Sequence, residues 1–306
     1  MGMEEIYHPP VLLKESVEML RAREGGIFVD ATLGGGGHTE AILKANPENR
    51  VIAIDRDEEA IERAIKRLEP FGDRVSIYHA NFSQIGEVLE AEGVSEVNGV
   101  LFDLGVSHFH LRGERGFTVW KEQPLDMRMD RRQKLTAKDV VNELSERELA
   151  EIIFKYGQER FARKIAREIV RRRKVKPIET TTELAGIVEE VIPRKLWAGR
   201  KKHPAIKTFQ AIRIYVNREF DEIERGIPAA ADFIKPGGRL AVITFHSLED
   251  RLVKNILRNL EGFRVITKKP IEPTPEEVKE NPAARSAKLR VAERSLFQEA
   301  SLSEGL

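Results

Sequence analysis

The sequence predicts an α/β fold whose mostly parallel sheet is interrupted by an inserted all-helical domain. In the first hundred residues, short runs of β-branched apolar residues alternate with amphipathic helical stretches, a rhythm that is typical of βαβ units. About 100 residues without a convincing strand pattern follow. The alternation of strands and helices then returns, so the later part of the chain is expected to complete the sheet.

Four strands are expected in the first part of the sheet. Apolar runs predict them at Ile27–Ala31, Val51–Asp55, Val75–His79 and Val97–Leu104. Apolar residues at helical spacing predict the intervening helices, at about His38–Ala45, Glu58–Leu68 and Ser83–Glu92. Because a helix connects each strand to the next, these strands should run parallel.

The insertion is expected to contain helices at about Thr136–Asn142, Ser145–Tyr156, Ala162–Arg173 and Thr182–Val191. Two of these helices have clear N-terminal signals. Thr136 precedes good helix formers, and Ser145 with Glu148 has the spacing of a capping box. We therefore place an inserted helical, basic domain at residues 109–205, and the two parts of the sheet domain at residues 1–108 and 206–306.

The sheet is expected to resume after the insertion. One long helix is predicted from about Thr208 to Ile234, and the turn Pro236–Gly238 follows it. The remaining elements are a strand, a helix and two strands, at about Arg239–Phe245, Leu248–Asn259, Phe263–Lys268 and Leu289–Ala292. Between the last two strands, a segment rich in Pro and Glu at Pro270–Pro282 predicts a loop.

Composition excludes several classes of protein. The 306 residues include no cysteine, which excludes disulfides, thiolate metal sites and a cysteine nucleophile. No apolar run approaches the ~20 residues that a membrane helix requires, and the N-terminal residues lack the pattern of a secretory signal. We therefore expect a globular protein of the cytoplasm.

Positive charge is concentrated in one region of the chain. The net charge is +1, yet residues 155–207 contain sixteen Lys or Arg against six Glu and no Asp. Such a run is usually a solvated helix face, but a second basic cluster around Trp197 favours contacts with RNA phosphates and stacking of a base. The candidates for RNA binding are Arg128, Arg172, Trp197, Arg200, Lys201, Lys202 and Lys207.

A glycine-rich loop after the first strand predicts a nucleotide site. Residues Gly34–Gly37 precede a helix, and glycines there let a ligand approach the backbone and the N–H groups of the first helical turn. Asp55 ends the second strand, where it can accept hydrogen bonds from both hydroxyls of an adenosine ribose. NAD would satisfy this pattern equally, although the bulky His38 follows the turn and the third glycine of the dinucleotide fingerprint is missing.

The ends of other strands add polar groups to the same place. Asp30, Asn81 and Asp103 each lie at or just after the carboxyl end of a predicted strand. Parallel strands bring these ends to one edge, where open α/β sheets bind ligands. Phe82 adds an aromatic face that suits an adenine. A single Asp at a strand end is often only a helix cap, but several polar groups around one glycine loop favour a ligand site.

These motifs resemble those of a known family, the bacterial 16S rRNA (cytosine-N4)-methyltransferases called RsmH or MraW. The resemblance extends over nearly the whole chain and is carried by DATLGGGGH (Asp30–His38), AIDRD (Ala53–Asp57), LFDLGVS (Leu101–Ser107), PLDMRMD (Pro124–Asp130), HPAIKTFQAIRIYVN (His203–Asn217), PGGRLAVITFHSLEDR (Pro236–Arg251) and NPAARSAKLRVAER (Asn281–Arg294). It implies a Rossmann-like methyltransferase domain interrupted by a helical domain, with S-adenosylmethionine as methyl donor. The implied partner is 16S ribosomal RNA in the small ribosomal subunit, and a homodimer is left open.

The resemblance also implies which residues bind the cofactor: Gly36, Gly37, His38, Asp55, Phe82 and Asp103. Where relatives usually have Gln, this chain has His110. We keep His110 as a cofactor contact, because His can donate and accept a hydrogen bond. His108 and His110 are not expected to bind a metal, because a third ligand is missing.

Three residues are candidates for the chemistry. The amine of cytosine is a poor nucleophile, so acceptors near its hydrogens are needed, and Asp103 is the first candidate, with the backbone up to Ser107 lining the pocket. Asp103 can equally be a cofactor ligand only. His246, with Glu249 and Asp250, is a candidate for contact with the base. Alternatively, Ser247 caps the next helix and the two carboxylates lie in its first turn.

Two other functions stay open at the level of sequence. One is a nicotinamide-dependent oxidoreductase that uses the same glycine loop. The other is a ribosome-assembly RNA-binding protein whose methyltransferase fold is inactive. For a methyltransferase, the absence of cysteine favours the exocyclic nitrogen over carbon 5, because methylation of carbon 5 begins with addition of a cysteine thiolate.

Overall fold

A computed structural model describes residues 9–296 of the chain, so the ends of the predicted sheet domain, 1–8 and 297–306, lie outside the described residues. Contacts divide the chain into two compact units. The sheet unit comprises residues 1–105 and 221–306, and the helical unit comprises residues 106–220. The second boundary falls later than the predicted position after residue 205, because helix Ile206–Val216 packs against helix Glu146–Gly157 of the helical unit.

The described part of the sheet unit contains one seven-stranded sheet. Its strands, β1 to β7 along the chain, are Ile27–Asp30, Arg50–Asp55, Val75–His79, Val97–Asp103, Ile234–Thr244, Phe263–Val265 and Lys288–Arg294. The spatial order is β3-β2-β1-β4-β5-β7-β6. Strands β1 to β5 pair in parallel, and β7 pairs antiparallel with β5 and β6. The predicted Rossmann-like α/β fold with a mostly parallel sheet is confirmed.

Thirteen α-helices lie within residues 9–296. Helices α1 to α13 are Leu13–Met19, Gly37–Ala45, Glu58–Leu68, Ile85–Ala91, His108–Arg112, Ala137–Glu143, Glu146–Gly157, Ala162–Arg173, Thr181–Val191, Ile206–Val216, Glu219–Asp232, Ser247–Arg258 and Pro275–Glu280. The two predicted N-terminal signals are confirmed, because Thr136 and Ser145 each form a capping box at the start of α6 and α7. None of the helices described is both long and apolar enough to span a membrane.

The prediction of a single long helix at Thr208–Ile234 is wrong. The chain forms two helices, α10 and α11, separated at Asn217 and at Arg218, whose φ of 48° is left-handed. The amide of buried Asn217 donates to the carbonyl of Met127 and accepts from the N–H of Met129, both at 2.8 Å. Because these bonds fix Asn217 to a distant segment of the chain, the helix is interrupted at this position.

Two other boundaries differ from the prediction. Strand β5 begins at Ile234, which pairs with Val97, and a register shift between Val97 and Gly99 accommodates the predicted turn inside the strand. The predicted loop at 270–282 contains α13, whose first turn is capped by the Thr274 hydroxyl. The sequence carried this signal, since Thr-Pro-Glu-Glu is typical of a helix start.

Each unit has its own hydrophobic core. In the sheet unit, α1, α2 and α3 pack against the sheet through buried side chains that include Leu20, Phe28, Leu43, Leu68 and Leu101. In the helical unit, the buried set includes Met127, Ile153, Ile165, Ile169, Leu184 and Ile212. Helix α8 is amphipathic, because Ile165 and Ile169 are buried while its Arg side chains are not.

Candidate functional site

The order in which the chain adds strands to the sheet reverses between β1 and β4. From β1 the chain proceeds to β2 and β3 on one side, and from β4 it proceeds to β5 on the other. A crevice forms outside the carboxyl ends of the strands at such a switch point, and it is where open α/β sheets bind ligands. Strand β1 ends at Asp30 and β4 ends at Asp103, so two of the predicted carboxylates lie at this position.

The glycine loop brings the start of α2 to the same edge. Gly36 has a φ of 85°, a left-handed conformation that favours glycine. A Cβ at Gly37 would lie 2.1 Å from Cγ of Pro10, so the missing side chain makes room for the N-terminal segment. Helix α2 begins at Gly37, and the N–H groups of its first turn have no acceptor within the helix and can bind a ligand.

Hydrogen bonds to Asp55 connect the glycine loop to the end of β2. Its Oδ2 accepts the N–H of Gly34 at 2.7 Å, and its Oδ1 accepts the N–H of Asp57 at 2.8 Å. The contact with ribose stays a prediction.

Asp30, the predicted polar residue at the end of β1, is a buried carboxylate with two hydrogen-bond partners. Its Oδ1 accepts the N–H of Thr32 at 3.2 Å, and its Oδ2 accepts the hydroxyl of Thr39 at 2.7 Å. Burial, with a smaller contribution from the nearby charge of Asp55, raises the pKa of Asp30 to about 6 against the lowering effect of the two hydrogen bonds. Asp30 therefore connects Thr32, before the glycine loop, to Thr39, after it.

Asp103 and His38 face each other across the crevice. The Thr32 hydroxyl accepts the backbone N–H of Asp103 at 2.6 Å and fixes the end of β4. Asp103 Oδ2 lies 3.6 Å from Nδ1 of His38. Oδ1 of Asp103 is buried and has no hydrogen-bond partner in the described part of the chain. Burial, together with the nearby charge of Asp30, raises the pKa of Asp103 to about 6 against the lowering effect of His38, so this carboxylate can exchange a proton near neutral pH.

The imidazole of His38 is held by the N-terminal segment. Its Nε2 lies 2.9 Å from the carbonyl oxygen of Val11, and a carbonyl only accepts, so Nε2 carries the proton. Nδ1 is then the atom that faces Asp103. With both ring nitrogens directed at protein groups, a contact between His38 and the predicted cofactor would use the backbone N–H.

Phe82 follows β3, where its ring is half-buried. The ring packs edge-on against Phe102, with centroids 5.3 Å apart. A Cβ at Gly226 of α11 would lie 2.5 Å from the Phe82 ring, so that helix passes close to it. Asn81, also predicted near the site, forms a capping box with Gln84 on the short 3-10 turn that starts at Phe82. The adenine contact of Phe82 stays a prediction.

The group after β5 differs from the prediction. His246, not Ser247, caps α12, because Nδ1 of His246 accepts the N–H of Glu249 at 3.3 Å and Ser247 is already helical. Asp250 forms a buried ion pair with Arg290 of β7, at 2.7 and 2.9 Å. These bonds connect the start of α12 to β7, and the predicted base contact of Asp250 and catalytic role of His246 stay predictions.

Ser107 and His110 belong to the helical unit, where both residues cap α5. The Ser107 hydroxyl accepts the N–H of His110 at 3.3 Å, and Nδ1 of His110 accepts the N–H of Ser107 at 3.2 Å. The His110 ring also packs on Phe117, with centroids 4.9 Å apart. These contacts explain why the two residues suit the helix start, and the predicted catalytic and cofactor roles stay predictions.

Three of the predicted RNA contacts have partners within the protein. The Arg128 guanidinium pairs with both carboxylate oxygens of Asp126, at 2.8 and 2.9 Å. Arg172 bonds Glu168 and Glu190. The indole N–H of Trp197 donates to the Ile192 carbonyl at 3.1 Å, and its ring packs on the helical core. The RNA contacts of these three side chains stay predictions.

The other four predicted RNA contacts are exposed. Arg200, Lys201 and Lys202 follow one another in a loop, and Lys207 lies in the first turn of α10. Within residues 9–296, no ion pair joins any of the four to an acidic side chain. Their charges are available to a polyanion.

Comparison with known proteins identifies the family. A model of the MraW methylase family matches residues 5–295. The chain belongs to this family. It is 52% identical over 292 residues to the ribosomal RNA small subunit methyltransferase H of Persephonella marina, covering 94% of this chain and 99% of the relative. The protein of that name from Carboxydothermus hydrogenoformans is 49% identical over 312 residues, covering 96% and 99%.

Among solved structures, the chain is similar to a rRNA methylase from Streptococcus thermophilus, with a TM-score of 0.44 and 13% identity over 96% of this chain and 99% of that one.

Membership of the family establishes that the chain is a methyltransferase and that its methyl donor is S-adenosylmethionine. Neither alternative function is supported. The glycine loop therefore serves a methyltransferase and not a nicotinamide enzyme.

Proposed function

We propose that this methyltransferase modifies the exocyclic N4 of a cytidine in small-subunit ribosomal RNA, in the cytoplasm. The names of its relatives support the class of RNA. The observation that carries the choice of atom is the Asp103 carboxylate at the switch point, with one buried oxygen that lacks a partner among the described residues.

The residues around the loop fit S-adenosylmethionine. The first-turn N–H groups of α2 at Gly37 and His38 suit its carboxylate, the Asp55 carboxylate at the end of β2 suits the ribose hydroxyls, and Phe82 offers an apolar face for the adenine. When bound, the cofactor supplies an electrophilic methyl group. The unpartnered Oδ1 of Asp103 lies where a polar group of a ligand or substrate would satisfy it.

Asp103 is suited to act on the amine. As a carboxylate it accepts a hydrogen bond from the N4 amine, which returns electron density to that nitrogen. An amine that gains a methyl group must lose a proton, and the Asp103 carboxylate is the acceptor. Its raised pKa of about 6 makes it a stronger base than an ordinary Asp, while it is still mostly ionised at neutral pH.

The absence of cysteine supports the same choice. Carbon 5 of cytosine becomes nucleophilic only after a cysteine thiolate adds to the ring, and the chain has no cysteine. Transfer to the exocyclic nitrogen needs only an aligned donor and an acceptor for the proton.

The exposed basic residues of the helical unit support binding to RNA. Arg200, Lys201, Lys202 and Lys207 present charges that no acidic neighbour in the described structure neutralises. Neutralising phosphates releases counterions, and this effect dominates the affinity for RNA. We assign phosphate contacts to these four residues, and we expect the target strand to be presented in the small ribosomal subunit.

Nucleoside mass spectrometry tests the proposal. The purified enzyme, S-adenosylmethionine and small ribosomal subunits from cells that lack the gene should yield N4-methylcytidine. Asp103→Ala should yield little product, whereas Asp73→Ala, at an exposed Asp before β3 on the opposite edge of the sheet, should match the wild type. If 5-methylcytidine or a methylated ribose is the sole product, the assignment to N4 fails.

A further inference from the structure

Trp120 is an exposed aromatic residue that the RNA-binding prediction did not include. The side chain lies in a loop at residues 113–125 of the helical unit and is 65% exposed. Isolated exposed apolar residues are normal on protein surfaces. Exposure alone therefore assigns Trp120 no role, and the case depends on how the loop holds it.

The loop is fixed on both sides of Trp120. Val119, directly before it, is buried in the helical core. Directly after it, the carbonyl of Lys121 accepts the hydroxyl of Thr181 at 2.6 Å, and the same hydroxyl accepts the N–H of Gln123 at 2.9 Å. The indole is thus directed outward by a rigid backbone, and little ordering entropy is lost when a ligand stacks on it.

His203 connects Trp120 to the exposed basic residues. The two rings meet edge to face, with centroids 5.1 Å apart. His203 is itself held, because its Nδ1 accepts the N–H of Ala205 at 3.0 Å and its Nε2 lies 2.8 Å from Glu189. Lys202 directly precedes His203 in the chain, so the run of three cations at positions 200–202 ends one residue before the ring that contacts the indole.

We propose that Trp120 is a stacking platform for an unpaired nucleobase of the RNA substrate, next to the phosphate contacts of Arg200, Lys201 and Lys202. Single-stranded RNA is recognised by this combination of an aromatic face for the base and cations for the backbone. Trp197, the platform expected from the sequence, packs its ring against the core and uses its N–H internally. The inference depends on the proposed RNA substrate and adds a specific base contact to it.

Fluorescence and affinity measurements test the platform. The chain has two tryptophans, so the emission that disappears in Trp120→Phe belongs to Trp120. Titration with a single-stranded 12-nucleotide RNA should quench this part of the emission, and the same strand with abasic sites should not. Trp120→Ala should weaken RNA binding about 5- to 150-fold, as expected when one base no longer stacks, while Trp120→Phe should retain most of the affinity.

A matched control and the salt dependence separate stacking from other effects. Phe154 of α7 is also 65% exposed, and Phe154→Ala should leave RNA affinity unchanged. Trp120→Ala should keep the slope of affinity against salt concentration, because the variant still neutralises the same phosphates. If the wild type binds RNA and Trp120→Ala binds it equally well, the platform is refuted, and a protein partner becomes the better occupant. If the wild type binds neither RNA nor small subunits, the proposed function fails as well.

Discussion

Replacing Asp103 with Asn should remove most of the activity while leaving cofactor binding intact. Asn has nearly the same shape as Asp, but it cannot take a proton from the amine. General base catalysis typically contributes about 10²–10⁴ to a rate. We therefore expect single-turnover methylation by Asp103→Asn to fall by about 100- to 10,000-fold, with S-adenosylhomocysteine still bound in a calorimetric titration.

The pH dependence of the wild type provides the sharper test. With a pKa of about 6, the Asp103 carboxylate is ionised to about one tenth at pH 5 and about nine tenths at pH 7. The rate should therefore rise roughly tenfold per pH unit below pH 6 and level off above pH 7. A base with the ordinary Asp pKa of 3.8 would give a flat profile over this range.

Single-turnover rates between pH 5 and 8, with saturating cofactor and a fixed RNA fragment, measure the profile. His38 lowers the pKa of Asp103, so His38→Gln should move the midpoint to higher pH. Asp73→Asn, the same change at the opposite edge of the sheet, should keep both rate and midpoint. A flat wild-type profile, or full turnover by Asp103→Asn, would refute the role of Asp103 as proton acceptor.

Three further outcomes follow from the site and the basic loop. Asp55→Ala should weaken cofactor binding by about 1.5–3 kcal/mol in calorimetry, because the variant lacks a charge-assisted hydrogen bond to the ribose, and unchanged affinity would remove Asp55 from the site. Burial raises the pKa of Asp30 from 3.8 to about 6, so the wild type loses stability as pH rises through this range. In urea unfolding, Asp30→Asn should thus gain up to about 3 kcal/mol relative to the wild type between pH 4 and 7, and a constant difference would contradict this. The triple change of Arg200, Lys201 and Lys202 to Ala should lower the log–log salt slope of RNA binding by roughly 0.7 for each phosphate that the variant no longer neutralises, and an unchanged slope would mark a solvated face.

The sequence predicts the sheet and the residues at the ends of its strands well, because both depend on local patterns. Runs of β-branched residues mark the strands, and Asp55 and Asp103 end their strands as expected. The break between α10 and α11 was missed because it depends on bonds from Asn217 to residues about 90 positions away. No local pattern in the sequence carries such a contact.

Side-chain roles on the surface were less predictable than strand ends. Trp197 and Trp120 both lie near basic residues in the sequence or in space, and only the structure shows which ring is packed inward and which is exposed. Likewise, Arg172 lies in a basic run that is typical of RNA-binding proteins, but its guanidinium bonds Glu168 and Glu190. Burial and ion pairing are decided by tertiary neighbours, so composition and spacing do not reveal them.

The segment that holds His38 has a consequence for how the enzyme is made. The N–H of Leu12 bonds the Glu277 carboxylate at 2.7 Å, and the Asn281 amide bonds the carbonyl of Pro9 at 3.1 Å. The carbonyl that sets the tautomer of His38 is thus anchored by residues made more than two hundred positions later. During translation, a nascent chain that already carries the glycine loop still lacks this anchor. We therefore expect the N-terminal segment to take its place beside His38 only once α13 and Asn281 have left the ribosome.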